Sequence, residues 1–426
     1  MTTPRIVLAN FGSFGDLHPY LGIARELQRR GHHPVIATVP HYREKIEAAG
    51  FEFHPVRFAE LIEKPDAALM EKILHPLTGA EFIIRDLVMP LLRTAYDDSL
   101  LALDGASLLI SHPLTFAARL AAEARGLPWI STQLAPFGML SRYDPPVLPP
   151  TPVFSRLRGA GPAFWGPLIA LGKFGARRWT ATYTQLRVEI GLPPARDPMF
   201  EGGASALGTL ALFSPLLGSP QRDWPAHTLQ TGFVFYDGEE RSLPPELEAF
   251  LQAGEPPIVF TLGTAAVHNA GKFYQQSASA AQMLGRRAVL LIGDAENRPA
   301  SLPDGVIAVN YAPFSQLLPR AAAVVHQGGV GTTAQAMRSG KPMLVMPYGV
   351  DQPDNAERVR RLGIARVVSR KAYSADRAAR EMEALFRDRT YRERAHAIGQ
   401  QVREEAGAIV ACDAIERILS GSAPLR

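Results

Sequence analysis

The feature that most constrains this chain is the run Val324-Val325-His326-Gln327-Gly328-Gly329-Val330-Gly331-Thr332-Thr333. A β-branched pair reads as the end of a buried strand, glycines make the turn, and a helix starts near Thr332. A junction of this kind belongs to a parallel α/β sheet. It presents backbone N–H groups and the positive end of a helix dipole to whatever lies before it. Glycine at 328, 329 and 331 lets a bulky anion come close to the main chain, and Thr332 and Thr333 add hydroxyl donors. No lysine precedes Thr332, so the run is not a P-loop, and it is not Gly-x-Gly-x-x-Gly. A diphosphate fits it better than a dinucleotide. His326 has two readings: a structural strand-end side chain, or a donor to a leaving phosphate oxygen.

The rhythm of strand, glycine turn and helix recurs along the chain. In the first half it predicts a strand over 5–10, the turn Phe11-Gly12-Ser13-Phe14-Gly15-Asp16, and a helix over 19–30 ended by Gly31. Further strands are expected over 34–38, 107–110 and 129–132, with a helix over 115–125. The second half predicts strands over 258–262, 288–292, 306–309, 322–326 and 343–346. The fold class is therefore α/β, with two doubly wound Rossmann-like domains facing across a cleft. The expected divisions are a first domain over 1–219, a linker over 220–257, a second domain over 258–390 and a C-terminal helix over 391–426. That helix either lies plainly on the surface or packs back on the first domain. Residues 141–166 hold six prolines with Tyr143, Phe154, Phe164 and Trp165. A loop of that length is a binding element or a surface insertion.

Asp351-Gln352 should stand at the carboxyl end of a neighbouring strand, where open α/β sheets bind ligands. An acid beside an amide matches vicinal sugar hydroxyls. The other reading is a cap for a helix over 355–362, a role for which Asp354 is better placed.

His326–Thr333, Tyr311-Ala312-Pro313 and Asp351-Gln352, in this order, resemble the donor signature of the inverting UDP-glycosyltransferase-like superfamily. The resemblance extends to Gly12–Pro19, to Asp223-Trp224-Pro225 and to Thr231-Gly232-Phe233. It is nearest the bacterial and sterol-type branch, which includes rhamnolipid-type rhamnosyltransferases and glycopeptide and macrolide glycosyltransferases. It implies the two-domain GT-B fold. It also implies diphosphate contacts at Gly328, Gly329, Gly331, Thr332 and Thr333, with His326 as the phosphate-binding histidine. Asp351 and Gln352 would touch the donor sugar, and Gly263-Thr264 would lie near the phosphate. Tyr311 stands where an aromatic, often Trp, stacks on the nucleobase. Many relatives carry His where this chain has Asp16, with a later Asp to orient it. Counting back from Gly126-Leu127-Pro128, the later position falls near His112, which implies an inverted dyad. Either Asp16 is the base, or His112 is the base and Asp16 orients it. Asp16 also has a plain reading as a helix cap, and His112 as a core side chain.

The expected reaction is sugar transfer from a UDP- or TDP-linked donor to a hydroxyl of a hydrophobic acceptor: lipid, polyketide, terpenoid or phenol. Configuration inverts. No cofactor and no metal are expected, because the chain has no Asp-x-Asp motif to chelate one. Two alternatives share the fold: a non-catalytic nucleotide-sugar binder and a sugar-nucleotide epimerase. A net charge of +4 without a basic block gives no nucleic-acid footprint. No apolar run approaches the roughly 18 residues of a membrane span. One cysteine, Cys412, excludes an internal disulfide framework and favours the cytoplasm.

Overall fold

The computed structural model describes residues 3–58, 66–149, 152–238, 242–421 and 424–425. Parts of four expected segments lie outside the described residues: 1–2 and 59–65 of the first domain, 150–151 with the side chains of 152–155 (Phe154 among them) in the Pro-rich loop, 239–241 of the linker, and 422–423 and 426 of the C-terminal helix.

Two parallel sheets carry the molecule. The first has β1 (Arg5–Ala9), β2 (His33–Thr38), β3 (Glu52–Pro55), β4 (Leu108–Ser111), β5 (Trp129–Gln133), β6 (Thr209–Ala211) and β7 (Thr228–Gln230), in the order β3-β2-β1-β4-β5-β6-β7. The second has β8 (Ile258–Thr261), β9 (Ala288–Leu291), β10 (Val306–Val309), β11 (Ala323–His326), β12 (Met343–Val345) and β13 (Ala365–Val367), in the order β10-β9-β8-β11-β12-β13. Every pairing is parallel; Val7 sits opposite Val35 and Leu109, and Val324 opposite Val259 and Met343. The central strands are buried on both faces, which is why they read as continuous apolar runs.

Each expected strand is found to within one residue. The sequence reading missed β3, β6, β7 and β13. The last three are three residues long, too short to show a period. β7 also corrects the linker: residues 228–230 are the edge of the first sheet. The helix Pro245–Gln252 places Leu247 and Leu251 in the core of the second half.

The helix α1 spans Phe14–Arg29, five residues earlier than expected, because Ser13 caps it and Pro19 is accommodated inside it. Proline at 19 removes only the N–H that would reach Gly15, in the first turn. The helix α2 (Ala67–Ile73) crosses to the other half. Its Met70, with Leu74 beyond it, joins the second sheet's core. In the second half α3 spans Val330–Ser339 and α4 spans Gln352–Arg361. The expected C-terminal helix is two helices, α5 (Arg389–Glu404) and α6 (Gly407–Leu419). α5 buries Ala395, Ile398 and Val402 in the second half, whereas α6 buries Ala411, Cys412 and Ile415 in the first. Arg30 holds α6 through Asp413 at 2.6 Å and Glu416 at 2.7 Å.

Candidate functional site

In the first sheet the strand order reverses between β1 and β4. Connections leave these strands towards opposite faces, so a crevice opens at their carboxyl ends. The turn before α1 fills it. The Ser13 hydroxyl accepts from the Gly15 N–H at 3.3 Å, and Asp16 Oδ2 accepts from the Ser13 N–H at 2.7 Å and the Ser13 hydroxyl at 3.1 Å. This is a reciprocal capping box, so Asp16 does serve the helix start. Gly12 has φ +138°, and a Cβ there would lie 2.3 Å from Asp16 Oδ2, so only glycine admits the carboxylate.

The other carboxylate oxygen, Oδ1, lies 3.6 Å from His112 Nε2. His112 Nδ1 accepts from the Leu114 N–H at 3.2 Å. The ring proton therefore sits on Nε2 and points at Asp16. His112 is buried and Asp16 partly open, so the aspartate is the member of the pair that a substrate can touch. The neighbouring His18 packs against Phe14 and Tyr236; burial, then Lys45, hold its pKa down to about 4.

The second sheet reverses between β8 and β11. Here the structure gives His326 the surroundings of a supporting strand-end side chain. Its ring is fully buried, Nδ1 accepts from the Gly328 N–H at 3.0 Å, and Nε2 lies 3.3 Å from Met343 Sδ. Burial lowers its pKa to about 3. The histidine shapes the turn from behind and has no free nitrogen for a phosphate. The residue that faces forward is Gln327, which the sequence reading missed. Its Nε2 donates to Thr332 Oγ1 at 3.3 Å, and its Oε1 has no partner. A Cβ on Gly263 would lie 2.3 Å from Gln327 Nε2 and 3.1 Å from Thr332 Oγ1, so these three groups converge.

The cap residue of α3 is Gly329, which has no side chain to cap it, leaving the first N–H groups of the helix to an incoming ligand. Thr332 lines the mouth. Thr333 does not: it is fully buried, and its hydroxyl is an unpartnered part of the wall. A Cβ on Gly331 would lie 3.0 Å from Gly15 Cα, so the N-termini of α1 and α3 meet across the cleft. Thr264 and Tyr311 stand exposed on turns at the carboxyl ends of β8 and β10.

Asp351 occupies the N-cap position of α4 without capping it. Its Oδ2 accepts from Asn355 Nδ2 at 2.7 Å, and the same amide donates to the Gly328 carbonyl at 3.0 Å. Burial, and then the Asp16 carboxylate across the cleft, push the Asp351 pKa up to about 7. Gln352 Oε1 accepts from the Tyr348 N–H at 2.9 Å. The intervening Val350 has φ +56°, a strained setting for a β-branched residue. Asp354, expected as the cap, is instead fully buried against Arg358 and the Val147 N–H. Among the described residues no three His, Cys, Asp or Glu side chains converge on a metal position, and no helix is long and apolar enough to cross a membrane.

Two family descriptions match the chain: "Glycosyltransferase family 28 N-terminal domain" over residues 6–137 and "Erythromycin biosynthesis protein CIII-like, C-terminal domain" over residues 280–414. Among characterised proteins it is similar to O-mycaminosyltylonolide 6-deoxyallosyltransferase of Streptomyces fradiae, with 32% identity covering 97% of each chain. It is also similar to vancomycin aglycone glucosyltransferase of Amycolatopsis orientalis, with 29% identity covering 97% of this chain and 98% of the other. Among solved structures, the glycotransferase of kitacinnamycin superposes with a TM-score of 0.69 at 26% identity over 98% of this chain and 99% of the other. The glycosyltransferase VinC, in complex with DTDP, shares the fold with a TM-score of 0.69 at 22% identity, over 98% of this chain and 100% of the other.

Proposed function

The chain belongs to the glycosyltransferases that join a family 28 N-terminal domain to an erythromycin CIII-like C-terminal domain, and from that premise we propose an inverting, metal-independent transfer from a UDP- or TDP-linked sugar to a hydroxyl of a hydrophobic small molecule. The observation that carries the proposal is the meeting of two unlike helix starts. One holds a carboxylate backed by His112 Nε2–H at 3.6 Å. The other is uncapped.

In this reading Asp16 takes the acceptor's proton as the acceptor oxygen bonds to the anomeric carbon. The bond from that carbon to the diphosphate oxygen breaks on the opposite face, so configuration inverts. The departing charge meets the N–H groups of the 328–332 turn, the Gln327 amide and the Thr332 hydroxyl. These neutral donors and the helix dipole supply the stabilisation that a metal gives other transferases. Asp351 and Gln352 face the sugar, and Tyr311 the base. His112 keeps its proton on Nε2 and steadies the Asp16 carboxylate before and after it is protonated.

The similarity to enzymes named for macrolide and glycopeptide aglycones supports a large, apolar acceptor. The single, buried Cys412 fits a reducing, cytoplasmic setting. The test is a mass-spectrometric matrix of UDP- and TDP-sugars against lipid, polyketide, terpenoid and phenolic alcohols. Product with one donor–acceptor pair supports the reading. Donor epimerised without any acceptor replaces it with an epimerase.

A further inference from the structure

We propose that Asp144, Asp354 and Arg358 form an interdomain latch that seats residues 141–149 on α4 and makes acceptor affinity depend on an occupied donor site. The proposal rests on the transferase reading above and adds to it a positioning role for three residues outside the cleft.

The latch is built from both halves of the molecule. Arg358 and Asp354 lie one turn apart on α4, 1% and 0% exposed, with Arg358 Nε donating to Asp354 Oδ2 at 2.6 Å. Across the domain boundary, Arg358 Nη1 donates to Asp144 Oδ2 at 2.5 Å and to the Leu217 carbonyl at 3.1 Å. Asp354 Oδ1 accepts from the Val147 N–H at 2.9 Å. Arg158 pairs with Asp144 from the first-half side, and Arg361 of α4 lies 3.6 Å from it. The root of the segment is fixed separately: Asp223 accepts from the Ser141 hydroxyl at 2.5 Å and the Arg142 N–H at 2.8 Å. Residues 141–149 are therefore anchored at one end in their own half and docked at the other end on the donor half.

The charge distribution makes this a reversible device. When the halves part, Asp144 keeps Arg158 and Asp354 keeps Arg358. Each surface keeps one ion pair, with the half-exposed Arg361 left to solvent, and the cost of stranding a buried charge is avoided. When the halves close, the pairs merge into one desolvated network, where each interaction is stronger.

The network is also physically continuous with the donor site. Asn355, fully buried between Asp354 and the next turn of α4, donates to the Gly328 carbonyl at 3.0 Å and to Asp351 at 2.7 Å. Ordering of the glycine turn by a diphosphate thus bears on the same helix that holds Asp144 and Val147. Coupling between two sites of this kind is commonly about 5–150-fold and reciprocal in binding.

The experiment follows amide hydrogen exchange of residues 141–149 in the wild type and in Asp144→Asn, with and without thymidine diphosphate or UDP as the probe. Asp144 touches no part of the cleft machinery, and the asparagine keeps its shape. In the wild type a nucleoside diphosphate should slow exchange of 141–149. In Asp144→Asn exchange should be about tenfold faster and indifferent to nucleotide, with β1 and β11 as protected as before. The acceptor KM should rise about tenfold, at the lower end of the coupling range. Donor KM and hydrolysis of the donor by water should stay within about twofold, and Asp144→Glu should recover part of the acceptor KM. The proposal is overturned if nucleotide still slows the segment in Asp144→Asn, or if donor and acceptor KM rise together, as general loosening would produce. The exchange measurement requires no turnover, so absence of sugar transfer would count against the transferase reading and leave the latch to be decided on its own.

Discussion

The two halves build the same junction twice and finish it differently. At the head of α1 the chain satisfies its own helix start: Ser13 caps, and Asp16 returns a carboxylate to the Ser13 N–H. At the head of α3 the cap residue is Gly329, with no side chain to offer. A helix start that already holds a carboxylate repels a phosphate, whereas one left bare attracts it. One scaffold thus carries a carboxylate on one wall of the cleft and an uncapped helix start on the other, which the transferase reading uses as base and anion seat. The difference lies in a few side chains, with the fold held constant.

The strongest way to break that contrast is Asp16→Asn, which keeps shape and some capping while removing the charge. Transfer to an aliphatic alcohol should fall by about 10²–10⁴. UDP or TDP binding, measured by calorimetry, should persist, since it belongs to the other half. An acidic phenol should recover part of the rate. His112→Ala should cost less than Asp16→Asn, because its Nδ1 is occupied and its Nε2 already carries a proton. Wild-type transfer by Asp16→Asn with the fold intact would reduce Asp16 to its capping role and remove the contrast altogether.

On the other wall, Gln327→Leu and Thr332→Val each remove one donor from the anion seat. Each should lower kcat by about 10²–10³ with little change in melting temperature. Nucleoside diphosphate affinity should weaken in both. If both variants turn over normally, the diphosphate does not sit at the head of α3.

His326→Ala sharpens the contrast by separating seat from support. The buried ring should contribute stability rather than rate, since its loss orphans the Gly328 N–H at a cost of about 1–3 kcal/mol. Its native pKa of about 3 lies below the ordinary 6.5. Below 6.5 the unfolded chain therefore binds a proton that the native ring refuses. The stability from the neutral ring is complete above pH 6.5 and is lost as pH falls towards 3, at up to about 1.4 kcal/mol per unit. Denaturant melts between pH 7 and 4 should be flatter in His326→Ala. A large loss of kcat with unchanged melts would return His326 to the phosphate.

This histidine also marks where the sequence stops being legible. Nine of the thirteen strands and both glycine turns could be read directly, because fully buried parallel strands are apolar throughout and glycine punctuates their ends. The same uniform burial hides side-chain direction: β11 shows no alternation, so nothing local says that 326 points inward and 327 forward. The only usable signal was position, since the first side chain beyond a strand and before a Gly-Gly turn projects into the crevice. Asp16 was legible as an acid in the first glycine turn, but its capping box with Ser13 was not, because Pro19 put the expected helix start five residues too late. The Asp144–Arg358 contact joins residues 214 apart in the chain, and no periodicity or motif carries information over that span.

The smallest expected effect tests whether the two walls sense each other. The Asp351 pKa of about 7 has burial as its larger cause and the Asp16 charge as its second. The native Asp351 therefore loses its proton near neutrality, well above the ordinary carboxylate range. A carboxylate accepts sugar hydroxyls better than a carboxylic acid does. The affinity of a nucleotide sugar relative to its free nucleotide should rise as pH increases through about 7, and Asp351→Asn should abolish that rise. In Asp16→Asn the opposing charge is gone and burial remains. The midpoint should then move to lower pH by less than the full displacement from the ordinary value of 3.8. Calorimetric titration between pH 5 and 8 reads both curves on the same protein preparations. A midpoint that does not move in Asp16→Asn means that the two carboxylates do not face each other across a closed cleft. The meeting of the α1 and α3 N-termini would then not describe the enzyme in solution.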